Sequence, residues 1–160
     1  MLTLWLARHG EAENLDSSKT DFHRVLTPNG RHQVKEMARW LLQREQPPEI
    51  ILHSPLVRTR QTAETIAEEF GNESLVVRVE NALAPGIELQ ELLRRVSSTD
   101  AERILCIGHQ PDMSRCLAEM IGGGDIHYSP GTIAGIEFPG PVSRNCGRLR
   151  WLVKPGWFGG

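Results

Sequence analysis

Short apolar runs alternate with amphipathic stretches of helical period along the first three quarters of this chain, and that order leaves few folds open. Leu2 to Ala7 is apolar, short and soon broken by Gly10, so it reads as a buried strand whose end delivers Arg8 and His9. A polar stretch from Glu11 to Arg24 follows. Thr27-Pro28 then announces a helix, with Thr27 as N-cap and Pro28 at the first helical position. Val34, Met37, Ala38, Leu41 and Leu42 keep helical spacing until Pro47-Pro48 stops the segment. Glu49 to His53 is a second strand. Ser54-Pro55 starts the helix Leu56 to Phe70, which places Arg58 in its first turn and ends at Gly71-Asn72.

Leu75 to Val79 is a third, β-branched strand, and Glu88 to Val96 is a helix carrying Leu89, Leu92, Leu93 and Val96 at helical intervals. Arg103 to Ile107 is a fourth strand that ends in Gly108-His109. Pro111 opens a further helix, which Gly122-Gly123-Gly124 breaks. Thr132 to Phe138 and Arg148 to Val153 are strands joined by a turn-rich segment, and they read as a hairpin. The order predicts an α/β fold: a three-layer sandwich with a mostly parallel central sheet, helices on both faces and a C-terminal hairpin, in one domain over residues 1–160.

Composition narrows the function classes. A chain of 160 residues with 39% hydrophobic and 24% charged residues can bury a sizeable core as one globular unit. The net charge of −2 and the dispersal of Lys and Arg argue against a nucleic-acid binder. No apolar run approaches bilayer thickness, and Leu2 to Ala7 runs into Arg8 without a basic leader or a small-residue cleavage site, so a soluble cytoplasmic protein is expected. Cys106, Cys116 and Cys146 lack C-x-x-C spacing and are expected to be reduced core thiols. The tail Pro155 to Gly160 either packs back through Trp157 or lies free.

In an open, mostly parallel sheet the sites lie at the carboxyl ends of strands. Arg8 and His9, Arg58, and His109 each follow a different strand at that end, so four residues distant in sequence can meet in one crevice. Guanidinium forks match phosphate oxygens and an imidazolium adds a donor, so the expected ligand is a tetrahedral dianion. Helix starts after Ser54 and Gln110 aim further N–H groups at the same space. Nothing acidic is expected there to hold a metal, and Arg8 would repel one; no metal and no cofactor are expected. A histidine with one ring nitrogen held by a hydrogen bond and the other unprotonated can attack phosphorus. Gly10 allows close backbone approach beside it and is expected, with Arg24, among the phosphate- or substrate-binding residues.

These residues carry a resemblance. Arg8-His9-Gly10, the segment Ser54-Pro55-Leu56-Val57-Arg58-Thr59-Arg60-Gln61-Thr62-Ala63, and Gly108-His109-Gln110-Pro111 resemble the histidine phosphatase (phosphoglycerate mutase-like) superfamily. The stretch Asp21 to Gly30 is similar to the Asp-x-x-Arg-Pro-Leu-Thr-x-x-Gly element of its short SixA-like branch, the phosphohistidine phosphatases, with Val25 in place of the usual proline. The resemblance implies His9 as nucleophile, with Arg8, Arg58 and His109 binding phosphate and Arg24 helping at the rim. Asp21 is expected only to orient Arg24.

Larger members of that superfamily carry a helical insertion with a glutamate proton donor, and here the region is short. Glu11, Glu80 or Glu88 could act as the acid, and no context singles one out. Expelling imidazole needs less acid assistance than expelling an alkoxide, so the expected substrate is phosphohistidine on a protein of the histidine phosphotransfer type. A small phosphorylated substrate is the alternative, and a non-catalytic phosphate-binding module is a third reading. A monomer is expected, without nucleic-acid or membrane partners. His53, His23, His32 and His127 are read as structural or solvated.

Overall fold

Each apolar run becomes a strand, and alternation within it decides which helices it meets. The computed structural model describes residues 1–16 and 19–157. The strands are β1 (Leu2–Arg8), β2 (Ile50–His53), β3 (Val76–Val79), β4 (Arg103–Gly108), β5 (Ile133–Phe138) and β6 (Arg148–Val153). They form one sheet in the order β3-β2-β4-β1-β5-β6. The four strands β3, β2, β4 and β1 are parallel, whereas β5 runs antiparallel to β1 and pairs antiparallel with β6, which is the expected hairpin.

The helices are α1 (Pro28–Arg44), α2 (Val57–Phe70), α3 (Leu89–Ser97) and α4 (Asp112–Ile121). Leu4 and Leu6 of β1 join Leu52, Ile104 and Cys106 in a cluster with Leu92 of α3 and Leu117 of α4. Their sequence neighbours Trp5 and Ala7 turn the other way, joining Ile51, Leu105 and Ile107 in a cluster with Met37 of α1 and Ile66 of α2. One sheet thus separates two cores, and each fully buried large side chain contributes about 1.5–3 kcal/mol of transfer free energy. β3 is the exception: as an edge strand with a partner on one side only, it leaves Val76, Val77 and Val79 exposed.

Local chemistry sets the helix ends. The Thr27 side chain accepts from the Gly30 N–H at 2.9 Å, and Pro28 is the first residue of α1. Gly71 closes α2 and Gly122 closes α4 in the left-handed conformation, at φ 60° and 108°. α4 begins at Asp112, one residue later than expected, because Pro111 has ψ near 5° and stands outside the helix as its N-cap. Two single 3-10 turns, Asp21–His23 and Asn81–Leu83, have no counterpart in the sequence reading, since an element of one turn has no period to detect. Cys106 and Cys116 are buried thiols, but Cys146 is exposed in the β5–β6 connection and corrects the expectation of a core thiol there. Trp157 is exposed beside Lys154, and residues 158–160 of the tail lie outside the described residues.

Two glycines permit the crossing that matters most. A Cβ on Gly10 would stand 2.7 Å from the Gly30 carbonyl oxygen, and one on Gly30 would stand 2.0 Å from the Glu11 carbonyl oxygen. The loop after β1 therefore lies directly on the first turn of α1. Because the obstructing atoms are backbone, Gly30→Ala should destabilise the protein by about 3 kcal/mol or more. Urea denaturation measures this, and a loss under about 1 kcal/mol would show that the crossing yields.

Candidate active site

Because β1, β2 and β4 are parallel, their carboxyl ends open on one edge of the sheet. His9 follows β1, Ser54 follows β2, His109 follows β4, and the first turn of α2 supplies Arg58. His9 is buried, with its backbone N–H donating to the Gly108 carbonyl at 3.2 Å and its carbonyl accepting from Gly131 at 3.0 Å. Its Nδ1 stands 2.7 Å from the Gly10 carbonyl oxygen. A carbonyl only accepts, so the ring proton is on Nδ1 and Nε2 keeps its lone pair. In agreement, Arg58 Nε donates toward His9 Nε2 at 3.3 Å.

The remaining groups gather around that nitrogen. Arg58 also donates from Nη1 to the Asp21 carbonyl at 2.8 Å and from Nη2 to Asp21 Oδ2 at 3.3 Å. Arg8 donates from Nη1 to the Tyr128 carbonyl at 3.0 Å, while its buried Nε has no partner among the described residues. The ring of His109 lies 5.4 Å from that of His9; its Nε2 is 2.7 Å from Ser54 Oγ, and its buried Nδ1 has no partner. Arg24 reaches the Glu13 carbonyl through Nε at 2.6 Å and Asp21 Oδ1 through Nη1 at 2.9 Å. Arg24 and Arg58 thus share the carboxylate of Asp21, and Arg8, bonded to a backbone carbonyl, adds to the positive charge of the crevice.

Burial, followed by repulsion from His109, Arg58 and Arg8, outweighs the Gly10 hydrogen bond and lowers the His9 pKa to about 3. Burial, followed by repulsion from Arg58, lowers that of His109 to about 4. Both rings are therefore neutral at pH 7, so His109 is not the imidazolium that the sequence suggested. Between these values and the ordinary 6.5, the unfolded chain binds protons that the folded chain refuses. Their contribution to stability is full above about pH 6.5 and declines as pH falls toward 4 and then 3. The expected result is a lower Tm at about pH 5 than at about pH 7.5, with a smaller drop in His9→Ala; a flat wild-type Tm across that range would contradict neutral buried rings.

Several expectations need correction. Asp21 does not only orient Arg24; its carboxylate and carbonyl also hold Arg58, so an acidic residue does enter the crevice. Gly10 directs its N–H to Thr62 Oγ1 at 3.3 Å and its carbonyl to His9, so in this arrangement it holds the histidine rather than offering a free donor to phosphate. The Leu56 N–H at the start of α2 is likewise taken, by Ser54 Oγ. Among the candidate acids, the Glu11 carboxylate bonds Thr27 and Asn29, whose hydrogen bonds lower its pKa. Glu80 accepts from the Ala82 N–H, and Glu88 is the exposed N-cap residue of α3 without a side-chain cap bond. His53 is buried and its Nδ1 bonds the Ser54 carbonyl, the structural reading.

Ser54, Thr59, Thr62 and Tyr128 were not read from the sequence as site residues. Ser54 and Thr62 lie inside the quoted α2 segment but carried only a helix-start and a packing signal. Tyr128 acts through a backbone carbonyl, which leaves no trace in sequence. Among the described residues, no three His, Cys, Asp or Glu side chains cluster as metal ligands, and no helix is long and apolar enough to cross a membrane.

Residues 4–85 match the family model of the histidine phosphatase superfamily, branch 1. An uncharacterised protein of Picosynechococcus sp. is 36% identical over 140 residues, covering 84% of this chain and 82% of that protein. Phosphohistidine phosphatase SixA of Escherichia coli is 29% identical over 158 residues, covering 96% and 94%. The solved structure of the protein histidine phosphatase SixA complexed with tungstate superposes with a TM-score of 0.85 at 25% identity, covering 96% of this chain and 97% of that one. A phosphoserine phosphatase of Entamoeba histolytica shares the fold at a TM-score of 0.71 and 18% identity, covering 95% and 96%. With its matching family model and its SixA-like phosphoglycerate mutase fold, this chain belongs to the histidine phosphatase superfamily.

Proposed function

We propose that this protein is a phosphatase that carries the phosphoryl group on Nε2 of His9, and that its substrate is phosphohistidine on a protein. The observation that carries the reading is the Nδ1 contact to the Gly10 carbonyl, which leaves an unprotonated Nε2 in a buried pocket among Arg8, Arg58 and His109. In the first step the Nε2 lone pair attacks phosphorus, the bond from phosphorus to the substrate imidazole breaks, and that ring, carrying a proton on its other nitrogen, departs as neutral imidazole with the electron pair on the nitrogen released. In the second step water attacks phosphorus, the bond to Nε2 breaks, and phosphate leaves. Arg58 turns from Nε2 to the phosphoryl oxygens, joining Arg8 and Arg24 on the charge that spreads over them. The partnerless Arg8 Nε and His109 Nδ1 are the atoms that phosphoryl oxygens would satisfy.

The phosphohistidine assignment rests on leaving-group chemistry. Hydrogen bonds hold Asp21 and Glu11 ionised, through Arg24 in the first case and through Asn29 and Thr27 in the second, so neither stores a proton for an alkoxide. Imidazole, with an ordinary conjugate-acid pKa near 6.5, departs with little help. The likeness to SixA, named as a phosphohistidine phosphatase, supports the same class, and tungstate in its structure is a tetrahedral oxyanion of the kind this pocket suits. The exposed Phe22 ring, on the turn whose Asp21 holds Arg58, offers contact to a protein surface rather than to a small molecule.

The test is phosphate release from a histidine-phosphorylated protein and from an alkyl phosphate, each in the presence of chelator. Chelator-resistant release from phosphohistidine with little from the ester is the expected result. Faster turnover of the ester would move the assignment to a small-molecule phosphomonoesterase, and loss of activity with chelator would reject a metal-independent mechanism.

A further inference from the structure

We propose that Ser54, backed by Thr59, is a positioning residue that fixes His109 with its proton on Nε2 and its bare Nδ1 open to the phosphoryl group. The inference deepens the phosphotransfer reading given above and rests on it for the role of the phosphoryl group.

The argument is a count of protons along a buried chain. His109 Nε2 lies 2.7 Å from Ser54 Oγ, and Ser54 Oγ lies 2.6 Å from Thr59 Oγ1. Thr59 Oγ1 in turn lies 2.8 Å from the Leu56 carbonyl oxygen and 2.9 Å from that of Ser54. Both hydroxyl residues are fully buried at 0% exposure. Carbonyl oxygens only accept, hence the single Thr59 proton points to them and Thr59 Oγ1 accepts from Ser54. Ser54 has then used its own proton, so its contact with His109 is an acceptance from Nε2–H. The Leu56 N–H at 3.2 Å also donates to Ser54 Oγ, which agrees with an oxygen serving as acceptor on that side.

In the neutral ring this leaves Nδ1 with a lone pair, and Nδ1 is the buried atom without a partner. A bare nitrogen repels a fully ionised phosphoryl oxygen, so the two must share one proton. Either the phosphoryl group enters as the monoanion and donates to Nδ1, or His109 takes a second proton as the dianion binds. In both cases the chain from Nε2 through Ser54 and Thr59 to carbonyl remains satisfied without any reversal. Around the ring stand His9 and Arg8 from the β1 end, Arg58 from α2, and Asp21 and Arg24 from the connecting segment; burial first, and then their net positive charge, keeps Nδ1 unprotonated until an anion arrives. His109 thereby becomes a binding group that shares one proton with the phosphoryl oxygen, set in that state by two residues that never touch the substrate.

The test reads the ring directly. In protein labelled with ¹⁵N-histidine at about pH 7, His109 should show a protonated Nε2 and a bare Nδ1, and saturating inorganic phosphate should bring a proton signal to Nδ1. Thr59→Val, close to isosteric, frees the Ser54 proton to turn toward His109 and should move the ring toward the Nδ1–H form; Ser54→Ala should mix the two. The expected kinetic cost in either variant is a fall in kcat of roughly tenfold to a hundredfold, in the range seen when a histidine loses its orienting partner, with a restored rate in Thr59→Ser. A wild-type ring with its proton on Nδ1, or a tautomer indifferent to both substitutions, overturns the proposal. Because the spectra need no turnover, they decide it even where no phosphorylated substrate is consumed, an outcome that would reject the phosphatase reading alone.

Discussion

Replacing His9 by alanine should lower turnover of phosphohistidine by about 10⁴-fold or more, the scale of losing a covalent nucleophile. No neighbouring group can replace it. Asp21 is tied to Arg24 and Arg58, the Arg8 and Arg58 guanidiniums have no lone pair to offer, and His109, with Nε2 held by Ser54, is expected to meet a phosphoryl oxygen through a proton on Nδ1 rather than phosphorus. The substitution should leave the sheet intact, since the backbone bonds of residue 9 to Gly108 and Gly131 do not involve the ring. The wild type mixed with substrate and quenched in alkali should carry a phosphoryl label that acid removes, and His9→Ala should carry none. Activity in His9→Ala within tenfold of wild type would sink the mechanism.

The second large effect is expected at Arg58. Its guanidinium makes three separate contacts, Nε to His9 and the two terminal nitrogens to Asp21, so it spans from the attacking atom to the support of the rim. Arg58→Ala should cost about 10²- to 10³-fold in kcat, the scale of one lost donor to a developing oxyanion. Arg58→Lys should recover little of this, because a single ammonium cannot hold Asp21 with one edge and meet phosphoryl oxygens with another. If lysine restores the rate to within fivefold of wild type, charge alone suffices and the fork is incidental. The ion pair contributes little to stability, since the Asp21 side chain is half exposed, so a reduced rate should not be accompanied by a large fall in Tm.

Much of this architecture was readable because periodicity carries the information. The switch from Trp5 to Leu6, or from Ile51 to Leu52, is a change of side that a two-residue period records, and the helix α1 is marked by Thr27-Pro28 at its start. The meeting of His9, Arg8, Arg58 and His109 was foreseeable because parallel strands deliver their ends to one edge. What escaped was whatever depends on a third dimension or on the backbone. Asp21 sits three residues from Arg24, so that pairing was visible, but its hold on Arg58 spans 37 positions and arises only when the 3-10 turn folds over α2. The neutral state of His109 follows from burial and crowding, which no local pattern encodes. Gly10 was read correctly as allowing close approach, yet the chain that approaches is α1 at Gly30.

The position of β1 has a consequence for how the site ages and adapts. Hydrogen-bonded on one side to β4 and on the other to β5, this strand can open only when the middle of the sheet comes apart. His9 therefore follows a strand that is held on both sides. Arg24 and Asp21 belong to the surface connection between β1 and α1, whose described residues are held to one another by the Ala12 to Leu26 bridge and to α2 by the bonds of Arg58 to Asp21. One half of the pocket thus shares the durability of the sheet, while the other carries exposed positions such as Phe22 that the proposed chemistry does not use, which gives selection a handle on partner choice that is separate from its handle on bond breaking.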